Sequence, residues 1–402
     1  MNKVWIISEL YYPTLNSTGY YMTEIAEHLA KKGLHVGVIT TNLTYNERSN
    51  PSKIKFENKN NVSIYRVLLK QIDKNNFYSR TIRLLSSSIK LFYKSLFLIK
   101  KGDKVLVVTN PAFIILLMPI IKLIKGITYD ILVHDIFPEN LAAIGTVNNK
   151  SFFYRFLKCL FDSSYSAANK CIVIGRDMEA IVQEKTKYKT ETTLITNWAE
   201  NDTLFPLKKE ETSILYILKL ENKFIFQFAG NLGHAQGLDN ILDAIELVTN
   251  PNIHFLFIGS GAMENEIKQR EITANLKNIT LLGFQDRKNQ NDFLNACDVG
   301  IVTLSEGMYG LGVPSKSYNI MAVNKPILIV ADESSEISQC VKEHNIGWTV
   351  LPREPERLAL MFEEIYSKSI YDTDFGLSNV RNIADTFFAK SVILDKYFDL
   401  YK

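Results

Sequence analysis

The sequence predicts an α/β protein built from two doubly wound parallel sheets (Rossmann-like domains), and three observations support this. Apolar strand-like runs alternate with amphipathic helix-like runs through the first half. The alternation breaks at Asn197–Glu221, which holds Pro206 and the mixed run Lys208-Lys209-Glu210-Glu211, and then restarts. The restarted half carries two glycine-marked loops between apolar and helix-like runs, Phe228–Leu238 and Gly310–Ala322. Such junctions offer free backbone N–H groups to an anion, and two in one domain suggest a ligand with a diphosphate, such as a sugar nucleotide.

The elements follow in order. Val4–Ser8 is a strand, and Ser8–Tyr20 a long loop with Pro13 and a single glycine, Gly19. Tyr21–Lys32 places Met22, Ile25, Ala26 and Leu29 on one helical face and stops at Gly33. Strands Val36–Thr40, Val62–Leu69, Val105–Thr109, Tyr129–Val133, Lys170–Ile174 and Thr193–Thr196 continue the first sheet. After the break come strand Phe224–Ala229, helix Leu238–Val248, strand His254–Ile258 and helix Glu264–Leu276. Strands Ile279–Leu282, Val299–Thr303 and Pro326–Val330 complete the second sheet, and Ala384–Lys402 reads as one aromatic-rich helix. In this architecture ligand binds in a cleft at the carboxyl ends of the strands. The domains are assigned to residues 1–198 and 199–383, with 384–402 as the terminal helix.

A chain of 402 residues with 46% apolar and 22% charged side chains is long and apolar enough for two cores and excludes a disordered protein. The net charge of +3 does not suggest a nucleic-acid binder. Cys159, Cys171, Cys297 and Cys340 show no close pairing and read as thiols of a reducing cytoplasm. No signal peptide is expected, because Met1-Asn2-Lys3 runs directly into a strand. No membrane span is expected either, since the longest apolar run, Ala112–Ile121, is about half of the ~20 residues required.

Several segments carry candidate chemistry. The first strand–helix loop lacks G-x-G-x-x-G, which argues against a nicotinamide or flavin enzyme. His134-Asp135-Ile136-Phe137-Pro138-Glu139 follows a strand, where titratable groups face the ligand side. His134 is suited to act on or orient a sugar hydroxyl, and Asp135 and Glu139 to accept hydrogen bonds from it. The plainer alternative is a helix N-cap at Asp135. Gly259-Ser260-Gly261 is a further strand–turn–helix junction. Lys316, following Pro314-Ser315, is a cation at a helix start, a placement opposed by the helix dipole unless an anion sits there. In Phe77–Lys101, residues Arg80, Arg83, Lys90, Lys94 and Lys101 share one helical face above a broad apolar one. That is the pattern of a helix lying in a membrane interface, or of a core helix with a solvated basic edge.

With these residues in view, the chain resembles the GT-B glycosyltransferases of the large retaining family four. Within that family it is similar to bacterial enzymes that transfer acetamido sugars in capsule, O-antigen or exopolysaccharide assembly. The resemblance rests on Gly19, His134–Glu139, Thr196-Asn197-Trp198, Gly230-Asn231-Leu232-Gly233, Gly259-Ser260-Gly261, Leu282-Gly283-Phe284 and Pro314-Ser315-Lys316-Ser317-Tyr318 with Met321-Ala322. It implies an acceptor-side first domain, a donor-binding second domain, and a terminal helix packed back on the first. It also implies that Gly19, Asn231, Gly233, Gln236, Gly259, Gly261, Phe284, Pro314, Ser315, Lys316 and Asn319 line the donor site, with His134, Asp135, Glu139 and Glu306 at the reaction centre. Arg80, Arg83, Lys90 and Lys94 would face the membrane or acceptor. No metal or other cofactor is implied; the leaving diphosphate is stabilised by cations and helix dipoles. Two departures stand out. The arginine and lysine that many members carry in the first glycine loop are absent here, and the usual glutamate pair is replaced by Leu311 and Asn319, leaving Glu306 and Glu333 as candidates for the ribose.

The implied function is retaining transfer of an N-acetylated deoxyhexose, such as N-acetylfucosamine, from a UDP-sugar to a polyprenyl-diphosphate-linked saccharide. The expected location is the inner face of the cytoplasmic membrane. The alternatives are a sugar-nucleotide epimerase of the same fold and a non-catalytic nucleotide-sugar binding protein.

Overall fold

The structure, a computed structural model, describes residues 3–14, 17–43, 53–69, 77–274, 276–372, 374, 375 and 377–402, with only the backbone of Phe77, Tyr78 and Arg80. The chain forms two compact α/β units, Met1–Ile195 with Ile393–Lys402, and Thr196–Val392.

The first unit contains β1 (Val4–Ile7), β2 (Val36–Thr41), β3 (Phe56–Lys59), β4 (Val62–Val67), β5 (Lys104–Val108), β6 (Thr128–Val133), β7 (Lys170–Val173) and β8 (Glu191–Leu194). Their order is β3-β4-β2-β1-β5-β6-β7-β8, parallel except at the β3–β4 edge. That antiparallel hairpin was not expected. Its two turn residues, Asn60 and Asn61, have φ of 50° and 63°, the left-handed pair that a two-residue hairpin needs. Phe56-Glu57-Asn58-Lys59 is poor in β-branched residues and buries neither face fully, so apolar periodicity does not reveal it. The first helix starts at Ser17, which places Gly19 inside its first turn, not in the preceding loop. The last strand lies two residues earlier than Thr193–Thr196.

The second unit contains β9 (Phe224–Ala229), β10 (Ile253–Ile258), β11 (Ile279–Leu282), β12 (Val299–Thr303), β13 (Ile327–Val330) and β14 (Gly347–Val350). All are parallel, in the order β11-β10-β9-β12-β13-β14. The edge strand β14 was missed because it is short and only partly buried. One core layer interlocks Phe226, Phe255 and Phe362, with ring centroids 4.7 and 4.8 Å apart, beneath the helix Pro355–Ser369. Burial of such rings is a main source of stability in this unit.

The break in the sequence pattern is not a free linker. The Ala199 N–H donates to the Phe388 carbonyl, and the Arg381 guanidinium donates to the carbonyls of Leu204 and Ala322. The terminal segment is two helices, Val380–Phe387 and Lys390–Tyr401, instead of one. The interruption falls where Ala389 forms a bridge with Ala199. Residues of the second helix join the first unit: Asp395 pairs with His28 and Lys32, and the Tyr401 hydroxyl donates to Asp130.

Candidate active site

In each sheet the chain reverses direction once, between β1 and β5 and between β9 and β12. The carboxyl ends of strands at such switch points form the ligand crevice of a doubly wound sheet. The second unit builds its candidate site there. After β9, Gly230 takes φ of +151°, open only to glycine at low cost, and the loop remains exposed at Gly230 and Asn231. After β12, Ser305 holds the far end of this loop, its hydroxyl donating to the His234 carbonyl and its N–H to that of Ala235.

Lys316 enters this crevice from the start of the helix Lys316–Ala322. Its ammonium lies 3.6 Å from the centroid of the Phe228 ring and donates to Gln236 Oε1 at 2.8 Å. A side chain on Gly230 would lie 3.7 Å from Lys316 Nζ. Among the described residues no carboxylate pairs with it, and desolvation holds its pKa well below that of an ordinary lysine. A ring face and a neutral amide offset only part of the cost of drying a cation, so an anion placed here is stabilised.

The other glycines have a different explanation. A Cβ on Gly259 would stand 1.9 Å from the Gly230 carbonyl oxygen, and one on Gly261 2.4 Å from that of Leu232. The Gly230 and Leu232 N–H groups donate to the carbonyls of Ile258 and Ser260. Gly259 and Gly261 therefore let two backbone turns touch; their glycine identity is required by packing, whatever they contact in a ligand. Asn319 likewise has a structural partner, its Oδ1 accepting the Glu200 N–H. Gly233 lies against the Asn231 amide, and Pro314 accepts the Ser317 hydroxyl, while Ser315 makes no capping bond. Phe284, after β11, is 57% exposed, an aromatic face without cover. Glu306 pairs with Arg353 at 2.7 Å on the surface and borders a cavity of about 190 Å³ with Ser305, Tyr309, Asp332 and Ser335. Glu333 is also at the surface, paired with Lys342.

In the first unit, buried Thr109, at the end of β5, accepts through Oγ1 from the N–H groups of both His134 and Asp135. This polar strand end fixes the turn that displays the two side chains. The Tyr21 ring meets His134 edge-on, with centroids 6.2 Å apart. Desolvation lowers the His134 pKa to about 4, so its imidazole is neutral near pH 7. Asp135 is exposed. Glu139 differs from the expectation of a carboxylate open to substrate: Oε1 accepts from Lys158 at 2.7 Å, and Lys185 reaches both of its oxygens at 2.9 and 3.0 Å. Lys185 also donates to Asp162 at 2.6 Å. Burial pushes the Glu139 carboxyl up, but the two lysines outweigh it and hold the group below the usual range. Sequence reasoning missed Thr109, Lys158, Asp162 and Lys185; only Thr109, polar at a strand's carboxyl end, left a signal.

The basic face of Phe77–Leu98 also differs from expectation. Arg83 turns toward buried Glu9, Lys90 donates to the Leu68 carbonyl, and Lys94 lies over the Tyr65 ring. The side chain of Arg80 lies outside the described residues. The outward face carries Ile82, Leu85, Ile89, Tyr93 and Phe97 beside exposed Lys90.

Two doubly wound parallel sheets, one in each unit, are the architecture of the GT-B fold. Residues 211–378 match the model of the family described as glycosyl transferases group 1. Over 367 residues the chain is 36% identical to the probable glycosyltransferase WbjE of Pseudomonas aeruginosa, covering 91% of this chain and 90% of that one. It is 23% identical over 366 residues to the putative colanic acid biosynthesis glycosyl transferase WcaI of Escherichia coli K12, covering 89% and 90%. The chain belongs to the group 1 glycosyltransferases. Among solved structures, Anabaena Alr3699/HepE in complex with UDP shares the fold, with a TM-score of 0.74 at 13% identity over 99% of both chains.

Proposed function

We propose that this transferase moves a sugar, an N-acetylated deoxyhexose, from a UDP-sugar to a polyprenyl-diphosphate-linked saccharide in surface polysaccharide synthesis, with retention and without a metal. The observation that carries the reading is Lys316, a desolvated ammonium with no carboxylate partner among the described residues, beside an exposed glycine loop. The UDP complex of HepE and the colanic acid role in the name of WcaI support donor type and setting. The donor diphosphate meets Lys316, with the Asn231–Gly233 loop, Gln236 and Ser315 around it and Phe284 toward the base. The bond from the anomeric carbon to the diphosphate oxygen breaks as the acceptor oxygen attacks from the same face. The acceptor proton passes to the departing phosphate, whose charge Lys316 stabilises. Neutral His134, with Asp135, orients a hydroxyl of the sugar or acceptor, and Glu306 is the candidate for the ribose. The enzyme works on the cytoplasmic membrane's inner face. Among the described residues no helix is long and apolar enough to cross a membrane.

A panel of UDP- and other nucleotide sugars in EDTA, with and without a polyprenyl-diphosphate saccharide mimic, tests this. Acceptor-dependent nucleotide release from one donor is the expected result, and the anomeric configuration of the product reports retention. Sugar-nucleotide conversion without acceptor would instead identify the epimerase alternative, and binding without turnover a non-catalytic protein.

A further inference from the structure

The helices Phe77–Leu98, Ile114–Lys125 and Phe152–Ser166 connect β4 to β5, β5 to β6 and β6 to β7, each crossover moving the same way along the sheet. Right-handed crossovers in one direction place their helices on one face, and these three lie side by side there. Their inner sides fill the core. Their outer sides carry large apolar groups with no protein cover: Phe97, Leu123 and Phe152 are 84, 85 and 85% exposed, flanked by Ile124, Phe153 and Phe156. Apolar groups this exposed on three neighbouring helices exceed the scattered apolar exposure of an ordinary soluble surface.

Charge selects the occupant. Between Asp73 and Asp130 the only acidic residue is Asp103. Asp103 is buried and accepts hydrogen bonds from the Trp5 indole and from the N–H groups of Lys3 and Lys100. Lys100 and Lys101 are exposed beside the end of the first of these helices, and Lys125 closes the second. An apolar face edged by lysines, on which the one carboxylate of the three helices, Asp162, is paired with Lys158 and Lys185, complements an anionic lipid surface, in which side chains reach the acyl boundary while ammonium groups stay among the headgroups.

We infer that the outer face of these three helices is a membrane-docking surface that lies flat on an anionic bilayer. This deepens the lipid-linked acceptor reading and rests on it. The docking surface extends beyond the basic stripe expected from sequence: Lys101 belongs to both, whereas Arg83 faces Glu9 and Lys94 lies over the Tyr65 ring.

Cys159 provides a reporter in the full chain, since it lies on the third helix and is exposed while the other three cysteines are buried. Labelled there with an environment-sensitive fluorophore, the protein should bind phosphatidylglycerol-containing vesicles with a blue shift and be quenched by lipid-borne quenchers. Pure phosphatidylcholine should bind it at least tenfold more weakly. Leu123→Asp with Phe97→Asp should weaken vesicle binding at least tenfold, and Lys100→Glu with Lys101→Glu should remove the preference for anionic lipid. Unchanged thermal unfolding and unchanged UDP binding would show that these variants remain folded. Turnover of a water-soluble short-chain acceptor should survive the Asp variant while turnover of a vesicle-embedded acceptor falls. Absence of wild-type binding to either vesicle, or a wild-type dimer that Leu123→Asp dissociates without any change in vesicle binding, would overturn the inference. Vesicle binding without transfer to any lipid-linked acceptor would uphold the surface and overturn the acceptor reading instead.

Discussion

Lys185 in the first unit is buried and Lys316 in the second is partly buried with a desolvated ammonium, and their surroundings differ in kind. Lys185 is packed against Tyr165 and meets two carboxylates, Glu139 and Asp162, which with Lys158 form a closed network of two positive and two negative charges. Lys316 has a ring face and an amide oxygen. A buried pair returns most of its desolvation cost when every member is bonded, whereas a lone buried cation does not. The first arrangement braces the turn that carries His134 and Glu139. The second stores an unmet charge that an anionic ligand can meet. The same residue type therefore sits in a closed charge network in one place and beside an open loop without such a network in the other, and the difference is the counter-ion.

The sharpest way to break this comparison is to neutralise each lysine. Lys316→Met should lower kcat/KM by about 10²–10³-fold, the usual loss when one stabilising donor is removed from a developing oxyanion. Its urea unfolding midpoint should hold or rise, because a desolvated charge has been deleted. Retained turnover would remove Lys316 from the phosphate site. The wild-type protein should also take up a proton on binding UDP at pH values above the depressed pKa of Lys316, because the diphosphate favours the charged form. Calorimetry in buffers of different ionisation enthalpy measures this.

Lys185→Met should behave in the opposite sense, costing about 3 kcal/mol of stability because Glu139 and Asp162 are left with Lys158 alone. Denaturant unfolding checks it, and a loss below about 1 kcal/mol would mean the network does not brace the fold. The folded-state pKa of Glu139 is depressed, so this contribution is complete above the unfolded value of about 4.3 and is lost as pH falls through the folded one.

A smaller effect distinguishes His134. Its pKa falls to about 4, so the unfolded chain binds more protons between pH 4 and about 6.5, and stability declines as pH falls through that window. His134→Gln should flatten that slope in acid-unfolding curves. The wild-type pH–rate profile should show no inflection near 6.5 from this residue; one that vanished in His134→Gln would contradict a neutral imidazole. The smallest effect is expected at exposed Glu306, where Glu306→Gln should alter stability by no more than ~0.5 kcal/mol. Its donor KM should rise a few-fold if it holds the ribose, and an unchanged KM would exclude it.

How far each feature was legible follows from the range of the interactions that make it. Strands buried on both faces read directly as apolar runs, so β9 and β12 have the expected limits. The half-exposed edge strands β3 and β14 left no apolar run, although Asn60-Asn61 was a turn signal for the first. The segments His134–Glu139, Gly230–Gly233 and Pro314–Lys316 were found from their places after strands and before helices. Their chemistry was not equally legible, because Glu139 is engaged by lysines 19 and 46 residues away.

The sequence by itself determined the α/β class and the loops that end the strands, because periodicity and glycine placement act over a few residues. Only the tertiary structure decided which charges are met and which are not. That is why, among the described residues, Lys316 stands without a carboxylate while Lys185 has two, why Gly259 and Gly261 serve backbone contact, and why Arg83 faces Glu9 while Ile82, Leu85 and Phe97 on the same helix face outward. Each of these depends on partners brought together by the sheet, and the cost of burying a charge is settled by what lies within a few ångströms in space, not along the chain.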